Sequence, residues 1–339
     1  MKNTKYTLLF IIVGLLAVAC KPDFDINAEY KDVTITYAII NPSDSMQYIK
    51  IYKGYLTQGN AFEAAKDLNN ISYYDSINVV LNEIVNNKVV KTIVLDTTTA
   101  IPKDPGIFAS PTQVLYCTAE PLNTAAQYEL EITNKYSGKK STAKTAVVDN
   151  FRLKFPMTGA QFNLLGNSMR LTLSRATNAV AYEVVQNFYY IEVDKATKEV
   201  KKCVISRTVN SLPIRDSGAG DVIYSFRPDE MYKLINGNLK PNDKVDRYRD
   251  GFECVELVIW AAEKNLLTYM DVNTSSSSLL NDKNTYSNFE SEDNSAFGIF
   301  ASRNVHRQRY NINNASEDSL VYGQYTRGLG FDYYRNYSE

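Results

Sequence analysis

Apolar and polar positions alternate with a period of two along most of this chain, the pattern of half-buried strands. Residues 33–40 alternate and then turn wholly apolar, as a strand entering a core does, and Gln47–Lys53 alternates again. Asn60 is placed to cap a short helix over 61–68. Ile77–Val85 and Val89–Leu95 flank Asn86-Asn87-Lys88 and predict a hairpin. A strand over Gln113–Cys117 follows a loop around Gly106, and Tyr128–Thr133 with Ser141–Val148 encloses a second hairpin turn at Tyr136-Ser137-Gly138. Short strands separated by turn signals imply a sandwich. The run Leu122…Tyr128-x-Leu130-x-Ile132 is similar to the late strands of immunoglobulin or fibronectin type III domains, with Tyr128 as a tyrosine corner.

The same grammar restarts near residue 150. Met169–Leu173 is a strand, and Ala176–Val185 leads into another. Asn187–Val193 and Val200–Arg207 bracket a long hairpin whose tip is rich in lysine, at 195, 198, 201 and 202; it reads as a solvated tip, or as a site for an anionic partner. Pro228-Asp229-Glu230 opens a helix through Ile235, ended by Asn236-Gly237. Phe252–Ala261 is a central strand; Trp260 within it reads as core, with an exposed carbohydrate platform as the alternative. Thr274–Ser278 is loop-like, Ala296–Ala301 a short strand, and the last thirty residues either add a strand or stay mobile. The fold class expected is mainly β, with two β-sandwich-like domains and few short helices. Its divisions are an immunoglobulin-like sandwich over 31–149, a second β-rich domain over 150–310 and a tail over 311–339.

The amino terminus follows a different pattern. Lys2 and Lys5 precede an apolar run from Tyr6 to Val18, too short to span a bilayer, and Ala17-Val18-Ala19 leads into Cys20. These features predict a lipoprotein signal peptide over 1–19, cleavage before Cys20 and lipid attachment to Cys20. An ordinary signal cleaved after Ala19 is the alternative. Residues 20–30 then form a tether, in which Lys21-Pro22-Asp23-Phe24-Asp25 is similar to the acidic export tags of Bacteroidota surface lipoproteins. The protein is therefore expected at the outer membrane, facing the medium or the periplasm.

Composition narrows the chemistry. The 339 residues carry a net charge of −1, and loss of Lys2 and Lys5 leaves 35 basic against 38 acidic groups, a balance that argues against nucleic acid. Of the four cysteines, Cys117, Cys203 and Cys254 remain beside Cys20; Cys203 and Cys254 can form a disulfide in an oxidising compartment, or all three are small buried hydrophobes. His306 is the only histidine, which leaves little material for a zinc site or a Ser-His-Asp triad. Asp243, Asp246 and Asp250 share a polar loop with Arg247 and Arg249, whose charges oppose a calcium ion. No cofactor, metal or catalytic constellation is expected, and the chain reads as a non-enzyme. Asp-Ser/Thr triplets at Ser45, Ser76, Thr97 and Ser319 match the pattern that Bacteroidota glycosylate on oxygen.

Three segments together resemble a Bacteroidota lipoprotein family of unknown function. They are Asn41-Pro42 with Gln47–Ile51, Gly54-Tyr55-Leu56 and Gly59-Asn60-Ala61; Gly106-Ile107-Phe108 with Val114-Leu115-Tyr116; and Leu267–Asn273 with Tyr286-Ser287-Asn288 and Phe297–Arg303. The resemblance implies an envelope lipoprotein of two β-rich domains, often found beside TonB-dependent outer-membrane receptors. It transfers no activity and no functional residue beyond Cys20. The expected function is a non-catalytic interaction or uptake-accessory module. Direct binding of a surface polysaccharide is the alternative, and a hydrolase a third reading.

Overall fold

The computed structural model describes residues 31–57, 59–210, 214–215, 218, 220–275 and 286–338. The expected signal peptide, Cys20, the expected tether and part of the serine-rich loop lie outside the described residues. The first half holds β1 (Thr34–Ile40), β2 (Gln47–Lys53), β3 (Ile77–Val85), β4 (Lys88–Val94), β5 (Asp96–Thr98), β6 (Leu115–Thr118), β7 (Gln127–Asn134) and β8 (Lys140–Ala146), with one-turn helices α1 (Ala61–Ala64) and α2 (Leu68–Ile71) before β3. Then come β9 (Leu153–Phe155), β10 (Met169–Leu173), β11 (Ala181–Asp194), β12 (Val200–Thr208), β13 (Ile214–Arg215), β14 (Val222–Phe226), α3 (Glu230–Asn238), β15 (Val245–Arg249) and β16 (Val255–Ala262). The chain ends with α4 (Lys264–Ser275), β17 (Glu290–Ser291), β18 (Ala296–Tyr310), α5 (Asn314–Tyr322) and α6 (Tyr334–Ser338). The protein is mainly β and sandwich-like, with few short helices.

Local chemistry explains the connections. Asn86 and Asn87 both adopt positive φ, at 51° and 60°, which a tight two-residue hairpin demands and asparagine tolerates. The Asn60 side chain accepts the Phe62 N–H, but the helix lasts one turn and a second, capped by Asp67, follows it. Tyr128 is a true corner, its hydroxyl accepting the Asn123 N–H at 3.0 Å. Tyr182 repeats the device on the Ala176 N–H at 2.9 Å.

Among the described residues two large hydrophobic cores are present, with a small third cluster under α4. The first lies between a sheet of β3, β4, β7, β8 and β17 and the strands β1, β2 and β6, closed by Ile49, Leu81, Tyr128 and Phe300. The second lies between the three strands β14-β10-β9 and the strands β11, β12 and β16, around Tyr182, Phe188, Leu257 and Met231. The expected boundary at residue 149 separates these cores only in part. One ten-stranded sheet, ordered β12-β11-β16-β18-β1-β2-β6-β5 along its main path, runs through both halves. Its hinge is β18, expected as six residues and found as fifteen. Residues 296–302 pair parallel with β1, and residues 303–310 pair antiparallel with β16. Phe300 enters the first core and Tyr310 the second.

Gly298 makes the first pairing possible. It sits opposite Thr36 with φ +118°, and a Cβ there would overlap the Thr36 carbonyl oxygen. The tail over 311–339 is no separate segment either: Ile312, Leu320, Leu329 and Phe331 are buried in the second core. Burial of such side chains, at about 1.5–3 kcal/mol each, outweighs the entropy of a free tail.

Candidate functional site

Strand registers decide which side chains face outward on the ten-stranded sheet. In β1 the outward positions are Ile35, Tyr37 and Ile39; in β2 they are Tyr48, Lys50 and Tyr52; in β18 they begin with Phe297 and Ile299. Helix α4 lies across this face, with Leu266, Tyr269 and Met270 against Ile39, Ile299 and Ala301. Spacings of three and four put those helix residues on one side. Thr274 and Ser275, expected in a loop, fall in this helix, and the sequence pattern predicts no element over residues 264–273.

To one side of α4 runs an aromatic strip. Tyr37 and Tyr52 meet edge to face at 6.4 Å, and Tyr52 lies 5.2 Å from Phe108 at 32°. Phe108 comes from the loop after β5, which the Ala109 N–H fastens to the Ala65 carbonyl at 2.9 Å. Tyr37 is 44% exposed and Phe108 40%, so the ring faces reach solvent. Lys50 Nζ stands 4.6 Å over the Tyr52 ring and donates to the Val114 carbonyl at 3.1 Å. Lys103 Nζ stands 5.3 Å over Phe108. Burial, and then the charge of Lys103, pull the Lys50 ammonium down to about 8. Burial raises the phenols of Tyr37 and Tyr52 as well.

On the other side of α4 the outward residues of β16 and β18 form a ladder of arginines around one indole. Arg303 lies 4.3 Å and Arg307 5.8 Å from the Trp260 ring centre, and Arg309 lies 4.4 Å from that of Tyr189. Beneath them the Glu256 carboxylate, 6% exposed, accepts from the Tyr189 hydroxyl at 2.7 Å and from Asn187 at 2.9 Å. Trp260 is therefore not the core side chain expected. In a strand whose Leu257, Ile259 and Ala261 point inward, it belongs to the opposite face.

Three segments far apart in sequence thus meet at one face. Tyr48 and Lys50 come from the first of the stretches that carry the family resemblance, Phe108 from the second, and Tyr269, Met270 and Arg303 from the third. Sequence reasoning missed Tyr37, Tyr52 and Phe108; the signal was the outward phase of Tyr37, Lys50 and Tyr52 in strands whose inward phase is apolar.

The sequence-derived sites fall elsewhere. Cys117, Cys203 and Cys254 are all free thiols, so the disulfide considered for Cys203 and Cys254 is not made. β11 lies between them: Cys203 pairs with Tyr190 on one side, and the Cys254 carbonyl accepts the Tyr189 N–H on the other. Two strand spacings come to about 9.5 Å, beyond the roughly 7 Å that a disulfide spans. Burial pushes the Cys254 thiol up to about 12.

The four glycosylation candidates divide by exposure. Ser45 is exposed, and so is Thr97 on the edge strand β5. Ser76 is half-buried and donates its hydroxyl to the Tyr73 carbonyl. Ser319 lies in α5, not in a loop, and is half-buried.

Arg247 and Arg249, in the loop weighed for calcium, are buried in ion pairs with Glu192 and Glu317 at 2.9 and 2.8 Å. Among the described residues no cluster of His, Cys, Asp or Glu is placed to hold a metal ion, and no helix is long and apolar enough to cross a membrane. Lys195 and Lys202 of the hairpin tip face Asp246 and Asp250 at 3.2 and 3.8 Å.

Comparison with protein-family profiles found no match, and comparison with curated proteins found none. Among solved structures, the C-terminal globular domain of an oligosaccharyltransferase from Pyrococcus abyssi aligns over 83% of this chain and 49% of its own length, with 9% identity and a TM-score of 0.20. Likeness at that level carries no argument about fold or function.

Proposed function

We propose that this protein is a non-catalytic lipoprotein of the outer membrane, anchored through Cys20, that acts as a ligand-binding or uptake-accessory module. Its ligand face is the strip of Tyr37, Tyr52 and Phe108 with Lys50 and Lys103. The observation that carries this reading is the geometry of that strip: three partly exposed rings, two on the sheet and one on a loop fastened beside it, flanked by two ammonium groups. Ring faces of this kind stack on the apolar face of a pyranose, and the lysines suit a carboxylate or sulfate on the sugar. The ligand class is an acidic polysaccharide. The lipoprotein signal and the family resemblance support the envelope setting and a TonB-dependent receptor as partner.

Affinity electrophoresis through gels containing neutral or uronic-acid polysaccharides tests the ligand. Retardation by the acidic gels is expected, lost in Tyr52→Ala and weakened in Lys50→Met. Equal migration of wild type and Tyr52→Ala in every gel rejects the glycan reading. Pull-down from gently solubilised envelopes then decides whether a receptor occupies this face instead.

A further inference from the structure

Between α4 and the sheet lies a cavity of about 180 Å³ that the aromatic strip does not use. Register explains why it is there. Ala181, Ala262 and Arg303 stand in one row across β11, β16 and β18, and Glu183, Trp260 and Val305 in the next outward row. Two adjacent alanines leave a hollow on the sheet, and α4 walls it with Leu266 and Met270. The floor and walls are apolar, but two of the lining side chains are charged.

Arg303 lies against the indole with its Nε fully buried and without a hydrogen-bond partner. Glu183 faces the same cavity from the strand on the other flank of Trp260. Among the described residues neither makes an ion pair. Arg303 and Glu183 therefore set a cation and a carboxylate, neither in an ion pair, on the lining of the cavity. A cation and an anion set on opposite sides of an apolar hollow demand more than a simple anion: they match a molecule carrying both charges and an apolar body.

We infer that this cavity binds a small zwitterion, an α-amino acid with an apolar side chain. Its carboxylate accepts from Arg303 in a charge-assisted hydrogen bond. Its ammonium donates to Glu183, and its side chain lies on Trp260 between Leu266 and Met270. The site stands apart from the aromatic strip and does not rest on the glycan reading.

Trp260 is the sole tryptophan of the chain, so emission excited at the red edge, where tyrosine does not absorb, reports on this cavity. The experiment titrates the full chain with L-leucine and L-methionine, reading Trp260 emission with calorimetry in parallel. Saturable binding is expected. Both 4-methylpentanoate, which lacks the ammonium, and leucinol, which lacks the carboxylate, should bind at least about tenfold more weakly, as loss of one charged contact implies. Arg303→Lys keeps the charge but not the planar fork, and it should weaken leucine by a similar factor, as should Glu183→Gln, with circular dichroism confirming that each variant is folded. Silence of both readouts up to about 10 mM amino acid, weaker than any useful site, overturns the inference. Equal affinity for leucine and 4-methylpentanoate overturns it too, because Glu183 would then play no part. Tyr52→Ala should leave the amino-acid titration unchanged, which separates failure here from failure of the glycan reading.

Discussion

The Arg303 guanidinium stands over Trp260, 4.3 Å from the ring centre, with its Nε sealed from water and unbonded. The cation–π contact contributes about 0.5–2 kcal/mol, and the orphaned N–H costs about as much. Arg303→Met, which keeps the apolar stem over the indole, should therefore change the unfolding free energy by less than about 1 kcal/mol. Urea unfolding measures it; a loss above about 2 kcal/mol would make Arg303 a structural residue.

Gly298 carries the opposite expectation. Its φ of +118° and the Thr36 carbonyl against its α-carbon leave no room for a methyl group. The strain falls where β18 passes from one core toward the other, so both halves should feel it. Gly298→Ala should cost about 3 kcal/mol or more and lower the melting temperature of the whole chain in one transition. Gly237, which has open space around it, is the control, and Gly237→Ala should be mild.

Tyr128 and Tyr182 use the same bond in the two halves. Each hydroxyl, on a wholly buried ring, accepts a backbone N–H that has no other acceptor in the turn. Phenylalanine at either position fills the same space but leaves the Asn123 or the Ala176 N–H unpaired, at about 1–3 kcal/mol. The two sites are distant and share no partner, so the double variant should lose the sum. A double loss well below the sum would mean that one half unfolds before the other.

What was legible in the sequence follows from these particulars. The period-two pattern located the strands, and the hydroxyl of Tyr128 was visible as a corner because its signal is local, a tyrosine a few residues after a turn. The union of the halves was not visible. It depends on β18 pairing with a strand some 260 residues earlier, and no local pattern encodes a register of that range. The length of β18 was hidden because Arg303, Arg307 and Arg309 look like the polar end of a strand; in fact they are its outward phase. For the same reason Trp260 read as core: the neighbouring outward positions Val258 and Ala262 are apolar, so its face could not be told from composition. The burial of the tail was masked by its tyrosines and asparagines, among which only Ile312, Leu320, Leu329 and Phe331 enter the core.

The glycosylation pattern can now be sharpened. An acceptor hydroxyl must reach a glycosyltransferase, and only Ser45 and Thr97 are exposed among the four triplets. Ser76 donates its hydroxyl to the Tyr73 carbonyl, and Ser319 is half-buried within α5. Peptide mapping of the native protein should find glycans at Ser45 and Thr97 and none at the other two. Modification of Ser319 would require α5 to leave the core around Leu320, and finding it there would contradict the fold.

Lys50 gives the ligand face a pH signature whose sign is fixed. In the unfolded chain its ammonium titrates near 10.5, and in the folded protein near 8. Between those values the unfolded state holds more protons, so this group makes stability rise with pH across that window. Lys50→Met should remove that rise, read as the difference between wild-type and variant denaturation midpoints at pH 7 and pH 9.5. An anion bound beside Lys50 favours the charged form and raises its pKa again. Acidic polysaccharide should then bind with net proton uptake near pH 8.5, which calorimetry in buffers of different ionisation enthalpy detects, and its affinity should fall as pH rises further. Proton-neutral binding at that pH would place the anion away from Lys50, and with it the ligand away from the Tyr37–Tyr52–Phe108 strip.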